Sequence, residues 1–391
     1  MLGSFLKKLE VIIWGSIIPF PNPNSLAHLL LELTAISGEL PFGLVPNDYS
    51  RNYVNNVLSH LCRIGLMRVY HRESVRGYRL TAKAKRGLLT ENYDRYSLYL
   101  TGNVETNLVK SELPRRIRLH RLAEIYLYML QCDIPIFRDQ KPVVFIPEKE
   151  KLPPIKKAAF YTPREIRLLE MDTIKLRGSR ICGALMTPDG VYLTYNCITG
   201  LNKFDYRNED KVRSLLITAI CYERLYHQFI PSQVRGLLIG TDLSAFAHVI
   251  ASSNSNVRSH FLLDGKYQNF YYLTNDHYGA VLMRLLCDIP KKTILKQVLL
   301  QDLQPANPDC GVENDGFDRH GNPVLLGYFM DIARINRFCI GLRLQKKHGI
   351  IICFDFQRKT LAELFGSLIS VQAISFKNFE RRFFPSENEN T

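Results

Sequence analysis

The 391-residue sequence has no C-x-x-C pair and no His cluster near any of its nine cysteines, so a zinc ribbon lacks its ligands and a disulfide framework its pattern. The scattered thiols read as buried groups of a reducing cytoplasm. Neither G-x-G-x-x-G nor G-x-x-x-x-G-K-[ST] occurs, so a dinucleotide fold and a P-loop motor are unsupported and no cofactor is expected. There is no H-x-H cluster to hold a strand-nicking metal, which disfavours that chemistry despite twenty tyrosines. Long apolar runs are missing too. In "LKKLEVIIWGSIIPF", Lys7 and Lys8 precede an apolar stretch, but Glu10 interrupts it, no A-x-A site follows, and it falls short of the roughly 20 residues of a membrane span. A cytoplasmic protein without a membrane partner is the expectation. Acids are the last shortage: 37 Asp and Glu face 51 Lys and Arg, a net charge of +14 that calls for a polyanionic partner.

An apolar content of 46% supports packed cores, and the length suggests two or three domains. Over residues 25–90 the hydrophobic period changes in an ordered way. "SLAHLLLELTAISGELP" has Ser25 as N-cap, Leu26, Leu29, Leu30 and Leu33 on one helical face, and a stop near Gly38 and Pro41. The short segment "FGLVPND" is expected to be a brief helix. "YSRNYVNNVLSHLCRIG" repeats the period with Val54, Val57, Leu58 and Leu61, ends at Gly65, and turns Arg51, Asn52, Asn55, Asn56, Ser59 and Arg63 outward. Then "LMRVYH" and "GYRL" alternate as two strands around "RESVR", and Thr81 caps a basic helix, "AKAKRGLL".

Residues 51–90 hold nine Lys and Arg against one acid, Glu73, so eight of the fourteen net charges sit in this segment. The order helix, short helix, helix, hairpin resembles a winged helix-turn-helix, and "GYRLTAKAKRGLL" is similar to the close of many prokaryotic members. The glycine usual near Ala84 has moved to Gly87. The resemblance implies double-stranded DNA as partner. Arg72, Arg76, Arg79, Lys83, Lys85 and Arg86 of the hairpin and following helix would meet phosphates, and the Asn/Arg face of the second long helix would read base edges. A basic wing favours this over the protein-binding use of the same module.

Residues 93–113 read as a polar connector. "PRRIRLHRLAEIYLYML" then starts a helix at Pro114 and adds a second basic patch, Arg115, Arg116, Arg118 and Arg121. Further on, "ICGALMTPDGVYLTYN" reads as strand, turn, strand. Its order after the Glu124 helix resembles the PD-(D/E)xK nuclease fold, with Glu124 and Asp189 as weak carboxylate candidates for Mg²⁺. The slot that should carry the second acid and the Lys falls at Tyr195, Asn196 and Cys197, so a degenerate core without catalysis or metal is expected. Glu209 and Lys211 form E-x-K, but "NEDKVRSLL" reads as a helix start, where acids favour the dipole.

From residue 235, "RGLLIGTDLSAFAHVI", "NFYYLTNDHYGAVLMRLL", "NPVLLGYFMDIARINRF" and "HGIIICFDFQRKTLAELF" each run strand, Asp, helix, the pattern of parallel βαβ units. Asp242, Asp276, Asp331 and Asp355 are best explained as helix caps. The expected organisation is an α+β or α/β multidomain chain: a winged helix-turn-helix over 20–92, a connector over 93–113, an α/β domain over 114–384 split near 230, and a disordered tail over 385–391.

Taken together, the basic winged helix, the "RIRLHRLAEIYLYML" helix and "GALMTPDGVYLTYN" resemble the replication-relaxation family of bacterial plasmids and integrative conjugative elements. That resemblance implies DNA binding in mobile-element replication, transfer or their control, with other mobile-element proteins as partners and a homodimer as a further option. Two alternatives stand beside it: a transcriptional regulator with an effector-binding α/β domain, and an active Mg²⁺-dependent nuclease.

Overall fold

A computed structural model describes residues 20–101, 112–146, 148, 150–169, 179–198, 206–252 and 265–385. The lysine-led apolar stretch falls, up to residue 19, outside the described residues, as do part of the connector and the tail from 386 onward. The chain forms two compact units, the first built on described residues up to Gln131 plus Ile136–Pro142, the second on Cys132–Pro135 and the described residues from Val143. The boundary expected at 113/114 is therefore displaced. The long helix Leu113–Gln131 joins the first unit because one of its faces is apolar and packs on that unit's core.

The first unit begins with α1 (Leu26–Ser37), capped by the Ser25 side chain accepting from the His28 N–H and ended at Gly38 with φ of 91°. Its sequence period marks one apolar face, yet all but two of its residues are buried. Thr34 and Ser37 satisfy their hydroxyls on the carbonyls of Leu30 and Leu33, which lets polar residues line a buried helix. Strand β1 (Leu40–Pro41) follows, then α2 (Arg51–Arg63), β2 (Met67–Arg72), β3 (Val75–Leu80), α3 (Ala82–Glu91), α4 (Tyr93–Leu100) and α5, the helix Leu113–Gln131. The three strands make an antiparallel sheet ordered β1-β3-β2, with Arg72 opposite Val75 at the hairpin end. The brief helix expected over "FGLVPND" is absent. Gly43 sits at φ of 92° and Pro46 lacks an N–H, so residues 42–49 run as turns.

The second unit contains β4 (Ala159–Tyr161), α6 (Pro163–Ile166), β5 (Ile181–Thr187), β6 (Gly190–Asn196), α7 (Tyr206–Ile217), β7 (Val234–Gly240), α8 (Ser244–Ser252), β8 (Phe270–Thr274), α9 (His277–Cys287) and α10 (Ile289–Leu300). It continues with β9 (Gln304–Pro305), β10 (Gly316–Phe317), β11 (Pro323–Leu326), α11 (Ile332–Gln345), β12 (Gly349–Phe354), α12 (Asp355–Phe365), β13 (Ile369–Ile374) and α13 (Phe376–Phe383). Two five-stranded sheets result, ordered β4-β5-β6-β7-β8 and β13-β12-β11-β10-β9. Both follow one scheme: two antiparallel pairings, then two parallel pairings through helical crossovers.

All four expected strand-to-helix units form, and their strands pair in parallel within each sheet. The split expected near 230 does not, because β6 and β7 on either side of it are hydrogen-bonded neighbours, Val191 opposite Val234 through Asn196 opposite Ile239. A single apolar cluster takes side chains from both sheets, among them Leu193, Leu238, Leu325 and Ile351.

Candidate nucleic-acid interface

Local chemistry places α2 and the hairpin. Ser50 caps α2 by accepting from the Tyr53 N–H, and Val54, Leu58 and Leu61 bury one face. The opposite face therefore turns out Arg51, Asn52, Asn56, Ser59 and Arg63, with Asn55 half-buried. At its far end Gly65 adopts φ of 73°, and the Thr81 hydroxyl, which also caps α3, donates to the Gly65 carbonyl at 2.7 Å. The chain thus turns straight from α2 into the hairpin, where Arg68, His71, Arg72 and Arg76 are exposed.

Two of the twelve residues assigned to DNA belong elsewhere. Arg79 is 1% exposed and Lys85 4% exposed, so neither reaches a phosphate. Lys85 lies inside α3's packing face, where burial and the neighbouring Arg68 depress its pKa. Lys83 is half-buried and donates to the Ile64 carbonyl at 3.4 Å, at the negative end of α2. Arg86 is exposed.

Arg116 leaves the second basic patch for the same reason as Arg79. The Glu39 carboxylate, itself without exposed surface, accepts from Arg79 Nε at 2.8 Å, from the Arg116 guanidinium at 2.6 Å and pairs with His120 Nε2 at 2.8 Å. Burial works against the carboxylate, but the hydrogen bonds from His120, Arg116 and Arg79 outweigh it and hold its pKa at about 2. Arg116 also donates to the carbonyls of Tyr70 (3.1 Å), Arg72 (3.2 Å) and Val75 (2.9 Å), pinning the hairpin from beneath. Tyr70 lies against both guanidiniums, its ring centroid 3.7 Å from Arg79 and 4.7 Å from Arg116. Gly77 is the residue this hub requires, since a Cβ there would stand 2.5 Å from Glu39 Oε1. Of the remaining patch, Arg115 is exposed and Arg118 and Arg121 are half-buried.

The weak carboxylate candidates fall in different units. Glu124 belongs to the first unit and Asp189 to the second. Asp189 lies in the β5–β6 turn, where it accepts from the Thr187 hydroxyl at 2.8 Å and pairs with Lys292 and, at 3.8 Å, Arg235. Burial opposes its charge, but Lys292 prevails and its pKa is lowered. The slot Tyr195-Asn196-Cys197 lies at the opposite end of β6 from Asp189. There the Tyr195 hydroxyl meets Tyr267 at 3.1 Å, Asn196 accepts from the Ile198 N–H, and Cys197 donates to the Ile239 carbonyl. Glu209 is not merely a helix-start acid. Fully buried, it accepts from Ser179 Oγ at 2.8 Å and from the Arg180 N–H. Nothing in the spacing of the sequence points to that contact. Asp276 and Asp331 cap α9 and α11 as expected, Asp242 accepts from the Ser244 N–H, and Asp355 accepts from the N–H groups of Phe356 and Phe376. Among the described residues no group of three His, Cys, Asp or Glu is placed to hold a metal.

No protein-family model matches the chain, and no curated protein or solved structure matches it.

Proposed function

We propose that the chain binds double-stranded DNA through its first unit, with α2 as reading helix and the β2–β3 hairpin as wing of a winged helix whose short second helix is replaced by turns, and with the second unit serving as a non-catalytic α/β platform. The observation that carries the reading is the sorting of cations by exposure. Arg51, Arg63, Arg68, Arg72, Arg76 and Arg86 are exposed on and around α2 and the hairpin, while the two buried arginines, Arg79 and Arg116, are both paired with Glu39. Exposed cations in such excess are an electrostatic footprint for phosphates, the one acid of residues 51–90 being Glu73, which lies 3.7 Å from Arg72. The Asn52/Asn56 face offers amides with the geometry to read adenine. A role in replication or transfer of a mobile genetic element rests on the resemblance of the motifs alone, and a gene neighbourhood without replication or conjugation functions would count against it.

The test is a salt titration of duplex-DNA binding. Reversing Arg72 and Arg76 to Glu should weaken binding to every sequence and flatten the log K against log[salt] slope by about 2, close to 0.9 per lost phosphate contact. Arg116→Glu serves as a contrast, because it should damage folding of the hairpin before it touches electrostatics. A wild-type slope in the double reversal would turn the hairpin away from DNA.

A further inference from the structure

The DNA reading leaves one feature unused. Phe42, at the end of β1, keeps 46% of its surface exposed although it lies in the middle of the most cationic part of the chain. A large apolar side chain in such a position ordinarily turns inward, since each buried methylene is worth about 0.8 kcal/mol. Phe42 is instead held out and held still. Its N–H donates to the Arg76 carbonyl at 3.1 Å, and its ring stacks on Tyr78 with centroids 6.0 Å apart and planes inclined by 25°.

Cations from both elements lie near it. The Arg76 guanidinium of the hairpin lies over the ring, 4.3 Å from its centroid. At the next residue, a Cβ on Gly43 would stand 3.0 Å from a terminal nitrogen of Arg51, the first residue of α2. Phe42 and Gly43 thus lie between the two elements assigned to DNA, with one arginine of each element close by. The periodicity of a sugar-phosphate strand is charge, apolar sugar, charge.

We infer that Phe42 packs on a deoxyribose of the DNA strand that crosses between α2 and the hairpin, while Arg51 and Arg76 neutralise the phosphates on either side of that sugar. The contact rests on the DNA reading proposed above and adds a substrate preference to it. The C2′ methylene of deoxyribose gives the ring an apolar partner, whereas a ribose would set a 2′-hydroxyl against the ring itself, which gives it no hydrogen bond in exchange for the water it loses. Phe42 therefore contributes affinity that is independent of base sequence and of salt, and it selects DNA over RNA. Arg76 benefits as well, because stacking on Phe42 orders its guanidinium before binding and reduces the entropy lost on contact.

The experiment measures fluorescence anisotropy of the full chain with a mixed-sequence DNA duplex and with the same sequence as duplex RNA, each across a salt series. Phe42→Ala should weaken DNA binding roughly tenfold, the fold-change of losing about half a buried phenylalanine side chain, and leave the salt slope unchanged. RNA binding should change much less, so the preference for DNA shrinks. Phe42→Leu, which keeps apolar volume and protects the fold if alanine does not, should fall between the two. If wild type binds DNA and both Phe42 variants bind it equally well, or if they lose DNA and RNA affinity alike, the deoxyribose contact is wrong while the DNA reading stands. If wild type binds neither duplex, the DNA reading itself fails and the contact with it.

Discussion

A carboxylate with no exposed surface stays ionised only if its neighbours replace the water it has lost, and Glu39 has three that do so. Of these, Arg79 reads from the sequence as a phosphate ligand and Arg116 as part of a second basic patch, because composition counts cations and cannot see which are spent internally. The difference is measurable. Glu39→Gln removes the countercharge while leaving two guanidiniums buried, so it should cost about 3–5 kcal/mol of unfolding free energy in a urea titration. Sign follows from the pKa of about 2, below the ordinary 4.5. The ionised form's contribution is fully present above the unfolded value and is lost as pH falls through 4.5 toward 2. Wild type should therefore lose stability over that window, and Glu39→Gln should show a flatter acid limb. An acid limb of equal steepness in both proteins would remove Glu39 from the account.

At the scale of elements, the proposed DNA binding assigns sequence reading to α2. Asn52 and Asn56 are one helical turn apart and exposed on the same face, whereas Asn55 is half-buried beside them. Alanine at whichever of the first two meets a base should cost about 1–3 kcal/mol on a selected cognate site and little on random duplex, and Asn55→Ala should cost less on both. Equal losses on cognate and random DNA would place this face on the backbone instead of the bases. The period of α2, the Ser25 cap of α1, the alternation of the hairpin and the Thr81 cap were all legible in the sequence, because each depends on contacts within a few residues. Other features were not. α1 looks like a surface helix because the partners of its buried polar residues are hidden from the sequence pattern: Thr34 and Ser37 bond within the helix, while His28 meets Glu91 of α3 and Glu32 meets Arg95 and Tyr96 of α4. The hub joins Glu39 to Arg116, residues far apart in the chain, and only the fold brings them together. "FGLVPND" misled because a two-residue strand and two turns leave no periodic signal.

Over the whole molecule, the densest run of cations and the largest apolar core fall in different units. The cations that the sequence concentrates in residues 51–90 belong to the first unit, and the second unit is an apolar core shared by two sheets of one topological scheme. Strand-to-helix units were readable one at a time, but their grouping into two sheets depends on pairing between distant strands, which no local pattern fixes. The same grouping decides what Asp189 does. In a catalytic site it would stand beside the far end of β6, yet the β5–β6 hairpin carries it to the other end, where Lys292 from α10 and Arg235 from β7 close on it. It ties the hairpin of the first sheet to the helix that leads into the second. Asp189→Ala should therefore act on stability: about 1–3 kcal/mol, moderated by the partial exposure of the pair, seen as a lower midpoint in chemical unfolding. Its duplex-DNA affinity should stay at the wild-type value, since the residue lies outside the unit proposed to bind DNA. Incubated with supercoiled plasmid and Mg²⁺ or Mn²⁺, wild type and variant should both leave the plasmid uncut. Metal-dependent cleavage by wild type that disappears in Asp189→Ala, with folding and DNA binding intact, would replace the platform reading of the second unit with that of a nuclease.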